Sequence, residues 1–491
     1  MKKNIIKRSL LFVFFLFCGF VSQAADDLIT RQIVINLDEA GTLKSKVSEK
    51  LKNKITNLKL TGEMNVTDMK FIREMAGAYK YYSVYDKESE KYEGNLQHLD
   101  LSNVKFVGAE NFYVCGPHVV EDDDMFARFR SDEVGSMIFV DLENLQTVIL
   151  PNYLTSISNC AFMGCCGLKS FSLSANIESI AGGAFAGCIG ITTLNVDKDN
   201  KQYSSEGTVL FNKDKTEIIA AMGNITNYII PNSVSEIAYY AFYHCTSLCS
   251  VDCPEGLTQI GIKAFAGCSS LSSVSFPEGL SDLGTGCFKD CISLTSVSLP
   301  KKLTLICPEL FWDCCNLTSV TMSDNVESIG ECAFYNCRSL SSISLSPNVT
   351  NISHGAFSGC RSLSSISLSP NLKYIGDYAF EGCKDITSID ACMLTPVKIT
   401  KETFEEEVKA NAYLYVPQGH LQDYKRAEVW RDFREMIEYD FPETFVEVST
   451  VDGNAKEVGR YSVNGQHFDG QKKGLNIVKY SDGTAKTVLV K

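Results

Sequence analysis

The chain has little of what most enzymes and nucleic-acid binders are built from. Only two tryptophans and six histidines occur in 491 residues. The histidines are scattered, and no Gly-x-Ser-x-Gly elbow, phosphate-binding glycine loop, Gly-x-Gly-x-x-Gly turn or His-Glu-x-x-His helix is present. Those absences remove the common nucleophilic, nucleotide-dependent and zinc-hydrolytic chemistries, so no enzymatic activity and no cofactor are expected. Basic residues are outnumbered as well: 46 lysines and arginines stand against 59 aspartates and glutamates, a formal charge of −13. With no basic run beyond the extreme N-terminus, the chain opposes a polyphosphate backbone, and nucleic acid is not an expected partner. Long apolar runs are confined to the start. Lys2, Lys3, Lys7 and Arg8 precede the apolar stretch 10–21, and the small residues Ser22, Ala24 and Ala25 follow it. That order predicts a secretory signal peptide over residues 1–25, an exported mature chain and no transmembrane span within it.

What the chain has in quantity is repetition, the first thing to look for in a long sequence. Phe162, Phe185, Phe242, Phe265, Phe288, Phe311, Phe334, Phe357, Phe380 and Phe404 recur with steps of 23 residues, apart from one step of 57 and a last one of 24. Other columns keep the same step. Cys291, Leu294, Val297, Leu299, Leu303 and Ile306 return one unit later as Cys314, Leu317, Val320, Met322, Val326 and Ile329. Neither a helical period nor a continuous alternation of two fits this unit; its one local alternation, Leu-x-x-Val-x-Leu, marks a short strand. A unit this short cannot bury its own apolar face, whereas stacked units turn each column into an internal ladder. The fold class expected is therefore a mostly β leucine-rich-repeat solenoid with 23-residue units and one short parallel strand per rung. The array spans residues 151–404, with an N-terminal cap and irregular repeats at 26–150, an enlarged repeat at 197–223, a C-terminal cap at 405–440 and a small β module at 441–491.

Twenty cysteines in an exported chain ordinarily suggest a disulfide framework. Here Cys165, Cys188, Cys245, Cys268, Cys291, Cys314, Cys337, Cys360 and Cys383 each lie three residues after the phenylalanine of their own unit, which reads as a buried column of small hydrophobes. The densest candidate metal cluster, His244, Cys245, Cys249 and Cys253, is split among different columns by the same frame, and no metal is assigned. The acidic run Glu121, Asp122, Asp123 and Asp124 lacks the alternating spacing of a calcium loop and reads as a solvated turn.

The residues flanking the strand's central apolar position point outward. In the regular units they are Ser273 and Ser275, Ser296 and Ser298, Ser319 and Thr321, Ser342 and Ser344, and Ser365 and Ser367. This hydroxyl face is the candidate binding surface for an extended protein or a glycan. The alternative is solvated filler on a repetitive strand, for the columns lack the Trp, Tyr and Arg anchors of protein hot spots.

The unit, written F-x-x-C-x-x-L-x-x-[IV]-x-L-P, resembles the BspA-like, or Treponema-pallidum-type, leucine-rich repeats of bacterial surface proteins. Residues 26–150, with Leu58, Leu60, Phe71, Leu99 and Leu101, look like the entry to such arrays, and residues 197–223, with Val209, Leu210 and Phe211, like the enlarged repeat. Leu414, Tyr415, Val416 and Pro417, followed by Tyr424, Trp430 and Phe433, resemble the closing unit. The tail, with Tyr461, Val463, Leu475, Ile477, an Asp482-Gly483 turn and Val488, is similar to the C-terminal sorting domain of the type IX secretion pathway of Bacteroidetes. The resemblance implies a cell-surface adhesin or protein-binding scaffold for host matrix proteins or other cells, delivered by outer-membrane export machinery acting on the tail. A surface glycan-binding module is the other reading.

Overall fold

The computed structural model describes residues 28–82, 89–117, 126–441, 457–462, 467–468, 474–480 and 485–490. The expected signal peptide at 1–25 and the acidic run 121–124 lie outside the described residues. The array is a solenoid of parallel strands. Its first sheet runs through Ile33–Leu37, Asn57–Met64, His98–Phe106, Thr147–Ile149, Ser170–Leu173 and Thr193–Val196. Neighbours pair in register one repeat apart, Phe171 with Leu194 and, further on, Val251 with Val274. Strands such as Ser170–Leu173 and Ser250–Asp252 bury the central apolar residue and turn its flanking residues outward, because side chains alternate across a pleated strand.

The sequence predicts one short parallel strand per rung; the structure has that strand and adds a second. A second parallel ladder, two residues wide, links Ser156–Ile157 with Ser179–Ile180, and another links Leu305–Ile306, Ser328–Ile329, Asn351–Ile352 and Tyr374–Ile375. Two residues are too few to produce an alternation that sequence can display. Each rung closes through a tight turn around its phenylalanine. The rings stack in two columns, Phe139 to Phe185 at 4.8 and 5.5 Å between centroids, and Phe242 to Phe404 at 4.9 to 6.0 Å. Trp430 and Phe433 close the second column against Phe404.

Every such turn except the last, at Phe404, uses the left-handed backbone region twice, two residues before and two after the phenylalanine. Around Phe265 the pair is Lys263 and Gly267, around Phe311 Glu309 and Asp313, and around Phe334 Cys332 and Asn336. The turns also form a hydrogen-bonded ladder in which backbone N–H groups donate to carbonyls of the next rung, as from Phe139 to Ala161 (2.9 Å) and from Asp141 to Met163 (2.8 Å). Such a ladder leaves orphan carbonyls at its first rung and orphan N–H groups at its last. Arg73, on the helix Val66–Met75, meets the first need: its guanidinium donates to the carbonyls of Ile138 and Val140 at 3.1 Å each. Glu405 meets the second, its carboxylate accepting from the N–H of Gly382 at 3.0 Å.

The enlarged repeat is an antiparallel hairpin of Tyr203–Glu206, Val209–Asn212 and Glu217–Ala221, whose last strand continues in parallel to Glu236–Ile237. The hairpin is buried on both sides. Val209, Phe211 and Ile218 pack into a core that extends to Phe433, while Leu210, Ala220 and Tyr203 pack into the core that begins at Leu37. It therefore divides the array into two hydrophobic cores. Past the array, Glu457–Ser462, His467–Phe468, Gly474–Tyr480 and Ala485–Val490 form a separate antiparallel sheet; the Asp482-Gly483 turn lies outside the described residues. Among the described residues no helix is long and apolar enough to cross a membrane.

Candidate binding surface

The outward face of the strand ladder carries all ten candidate residues. Ser273, Ser275, Ser296, Ser298, Ser319, Thr321, Ser342, Ser344 and Ser365 are exposed and Ser367 is half-buried. The strands bring Ser273, Ser296 and Ser319 into one column and Ser275, Ser298 and Thr321 into the next, with direct register between Ser296 and Ser319 and between Ser298 and Thr321. The ladder is not continuous. Residues 342–344 have no strand pairing, so Ser342 and Ser344 sit between the two-stranded piece Ser296–Ser298 with Ser319–Thr321 and the sheet that starts at Ser365–Leu368.

A neighbouring column of hydroxyls is occupied with structure. Ser272 donates to the carbonyl of Cys249, Thr318 to Thr295, Ser364 to Ser341 and Thr387 to Ser364, each at 2.9 to 3.3 Å. The hydroxyls on either side of the central strand residue, apart from Ser250 and Ser367, which already hold Asn227 and Asp390, are therefore the ones left to face a partner. Where the strands end, the surface dips into a groove of about 590 Å³ lined by Ser275, Phe276, Ser298, Thr321 and Met322, with the exposed pair Glu278 and Lys301 at 2.9 Å on its wall. A second groove of about 670 Å³ occupies the equivalent place in the N-terminal half, among Ile149, Asn152, Ser172, Asn176 and Asn195.

In that half the face is charged and paired. Lys59 donates to Asp100 at 2.6 Å, and His98 Nδ1 lies 2.9 Å from the Thr147 hydroxyl. Burial pushes Asp100 up, but the hydrogen bonds from Lys59 and Ser102 outweigh it and hold the carboxyl below its ordinary value. At the far end the balance reverses: burial raises Asp390, and the Ser367 hydroxyl only partly offsets it.

The sequence reading missed the residues that close this face. Tyr413–Pro417 and Glu435–Tyr439 are not a mere cap; they extend the sheet in parallel from Ser388–Ala391. Tyr413, Tyr415, Ile437 and Tyr439 stand on the outward columns, with Tyr413 49 % and Ile437 38 % exposed. The signal was present in the alternation Tyr413, Leu414, Tyr415, Val416, which puts both tyrosines on the side away from the core. Ile229, 76 % exposed, occupies the same outward column next to the insertion.

The cysteine ladder is where the spacing put it. The nine thiols are free and buried, and eight of them donate to the carbonyl of the phenylalanine of the preceding rung, as Cys291 does to Phe265 and Cys337 to Phe311. Cys245 uses the carbonyl of Ala221, in the rung that the hairpin replaces. Burial pushes the Cys245 thiol up to about 12, far from a reactive thiolate. Of the cluster considered for metal, Cys245 is buried in this ladder, Cys249 is exposed and Cys253 is half-buried.

A solenoid of short parallel strands with leucine and phenylalanine ladders defines the class: this is a leucine-rich-repeat protein. The model of the BspA type leucine rich repeat region matches in six copies, over residues 91–214, 216–337 and 304–415, and the chain belongs to that family. A leucine-rich repeat protein from Eubacterium ventriosum is similar in structure with a TM-score of 0.53, at 21% identity, over 72% of this chain and 88% of that one. A leucine rich cell surface protein from Faecalibacterium prausnitzii gives 0.43 at 22% identity, over 60% and 73% of the two chains. The pneumococcal vaccine antigen PcpA gives 0.43 at 16% identity, over 79% and 80%. No curated protein matches the chain.

Proposed function

We propose that this chain is a non-catalytic, exported cell-surface protein that binds another protein on the outward face of its strand ladder and so acts as an adhesin or scaffold. The observation that supports this most is the composition of that face. Exposed serines and threonines, small and adaptable in hydrogen bonding, end in the tyrosines Tyr413 and Tyr415 and are bracketed at the insertion by Ile229. That pairing of rigid aromatic anchors with small hydroxyl contacts is the composition of protein-binding paratopes, in which tyrosine supplies contact area at low entropic cost. A merely solvated face gives no reason for large apolar side chains to be held out of the core at its ends. The basic N-terminal segment and apolar stretch 10–21 support export.

The test is capture of the full-length chain on an array of immobilised extracellular-matrix proteins, repeated with Ser296→Lys and Ser319→Lys together. Two lysines in one outward column should reduce capture about tenfold, the equivalent of ~1.4 kcal/mol, and leave the melting temperature unchanged. Capture that is indifferent to this pair, or absent across the array, contradicts the reading.

A further inference from the structure

We propose that the C-terminal end of this face is a docking site for a cationic side chain, arginine or lysine, presented by an extended segment of the partner protein. This deepens the protein-binding reading above and rests on it. The site is built by the last strands of the ladder. Register places Ser388, Tyr413 and Glu435 in one outward column and Asp390, Tyr415 and Ile437 in the next, with Tyr439 beyond Pro417. The rings lie close together: Tyr413 to Tyr415 is 6.5 Å between centroids, Tyr415 to Tyr439 5.8 Å in an edge contact, and Tyr439 to Phe441 5.2 Å.

A cation within about 6 Å of such a ring is drawn to its face, more strongly as it is desolvated. Carboxylates surround the rings: Asp390 pairs with Tyr415 across the strands and Glu435 with Tyr413, and Asp440 follows Tyr439. Among the described residues, no lysine or arginine stands in the outward columns of this half of the face. From Asn227 to Tyr439 the outward strand positions carry Asp252, Asp390 and Glu435 and not one basic residue. An anionic ligand would be repelled there and a neutral one would leave the carboxylates unused. A guanidinium or ammonium satisfies both the rings and the acids. The hydroxyl columns leading away from the tyrosines offer hydrogen bonds to the rest of an extended chain.

The experiment uses the full-length chain and three labelled short peptides alternating serine with arginine, glutamine or glutamate, followed by fluorescence anisotropy at about 50 and about 300 mM salt. The arginine peptide should bind, more weakly at the higher salt, and the glutamine and glutamate peptides at least about tenfold more weakly. Tyr413→Ser with Tyr415→Ser should lose about the same factor while Tyr413→Phe with Tyr415→Phe retains binding, all with unchanged circular dichroism. Equal binding of the glutamine peptide, or full binding by the serine pair, overturns the site. The two readings separate cleanly. If the Tyr→Ser pair captures a matrix protein at full strength while Ser296→Lys with Ser319→Lys does not, this site falls and the scaffold stands. If the lysine pair captures normally, the scaffold reading itself falls.

Discussion

Arg73→Met removes the donors at the first rung of the turn ladder while keeping the length and most of the packing of the side chain. In the native chain the guanidinium is 5 % exposed and donates to the carbonyls of Ile138 and Val140, with Asp141, itself 1 % exposed, supplying the opposing charge. Burial lowers the guanidinium to about 10 against the pull of Asp141, so the group stays charged at neutral pH. The substitution leaves two buried carbonyls without donors, at about 1 to 3 kcal/mol each, and removes the charge opposite Asp141, a kind of loss worth ~3 to 5 kcal/mol when a buried pair is broken. These overlap, and a total of ~4 to 6 kcal/mol is expected. The loss should be local, because the hairpin separates the core containing Arg73's neighbours from the one that runs to Phe433. Both tryptophans, Trp312 and Trp430, lie in the second half. Urea unfolding followed by far-ultraviolet circular dichroism should therefore show an early transition that tryptophan fluorescence does not. A loss below about 1 kcal/mol refutes the capping role, and a tryptophan transition that falls in step with the circular dichroism refutes the division into two cores.

Glu217 sits opposite Glu236 on adjacent parallel strands, and burial first, then that like charge, raises its carboxyl above the ordinary value. A raised acid contributes full stability below its unfolded value and loses it as pH climbs through the folded one, so Glu217→Gln should gain ~0.5 to 1 kcal/mol at pH ~7 and nothing in strong acid. Cys332→Gly should raise the thermal midpoint by relieving a left-handed backbone worth ~1 kcal/mol, whereas Gly267→Ala should lower it, since a Cβ there meets the His244 ring at 2.7 Å as well as a positive φ. In a thiol-reagent titration the exposed Cys249 should react at once and the ladder cysteines only on unfolding; prompt reaction of many thiols in the native protein would displace those cysteines from the core.

The repeat period, the phenylalanine and cysteine columns, the hydroxyl face and the enlarged unit were legible because each depends on a side chain that recurs at a fixed step. Backbone features were not. The left-handed positions are filled by Lys263, Glu309, Cys332 or Tyr378 as readily as by Gly267 or Gly359, so composition does not betray them. Phe139 stacks on Phe162, yet Ile138 precedes it and Leu142 takes the cysteine's place, which hid the first turn from the consensus. In sequence Tyr415 groups with the closing aromatics Tyr424 and Trp430, which are buried, because a cap and a continuing sheet share the same apolar content; only the alternation separates them.

Hydroxyl-radical footprinting of the full-length chain with and without a captured partner protein tests the outward face as the binding surface. Binding there should protect Tyr413 and the groove residue Met322, while Tyr374 and Tyr378, exposed on the second ladder and on a phenylalanine turn, keep their reactivity. Protection of Tyr374 and Tyr378 with Tyr413 and Met322 left reactive would place the partner on the opposite side and contradict the account.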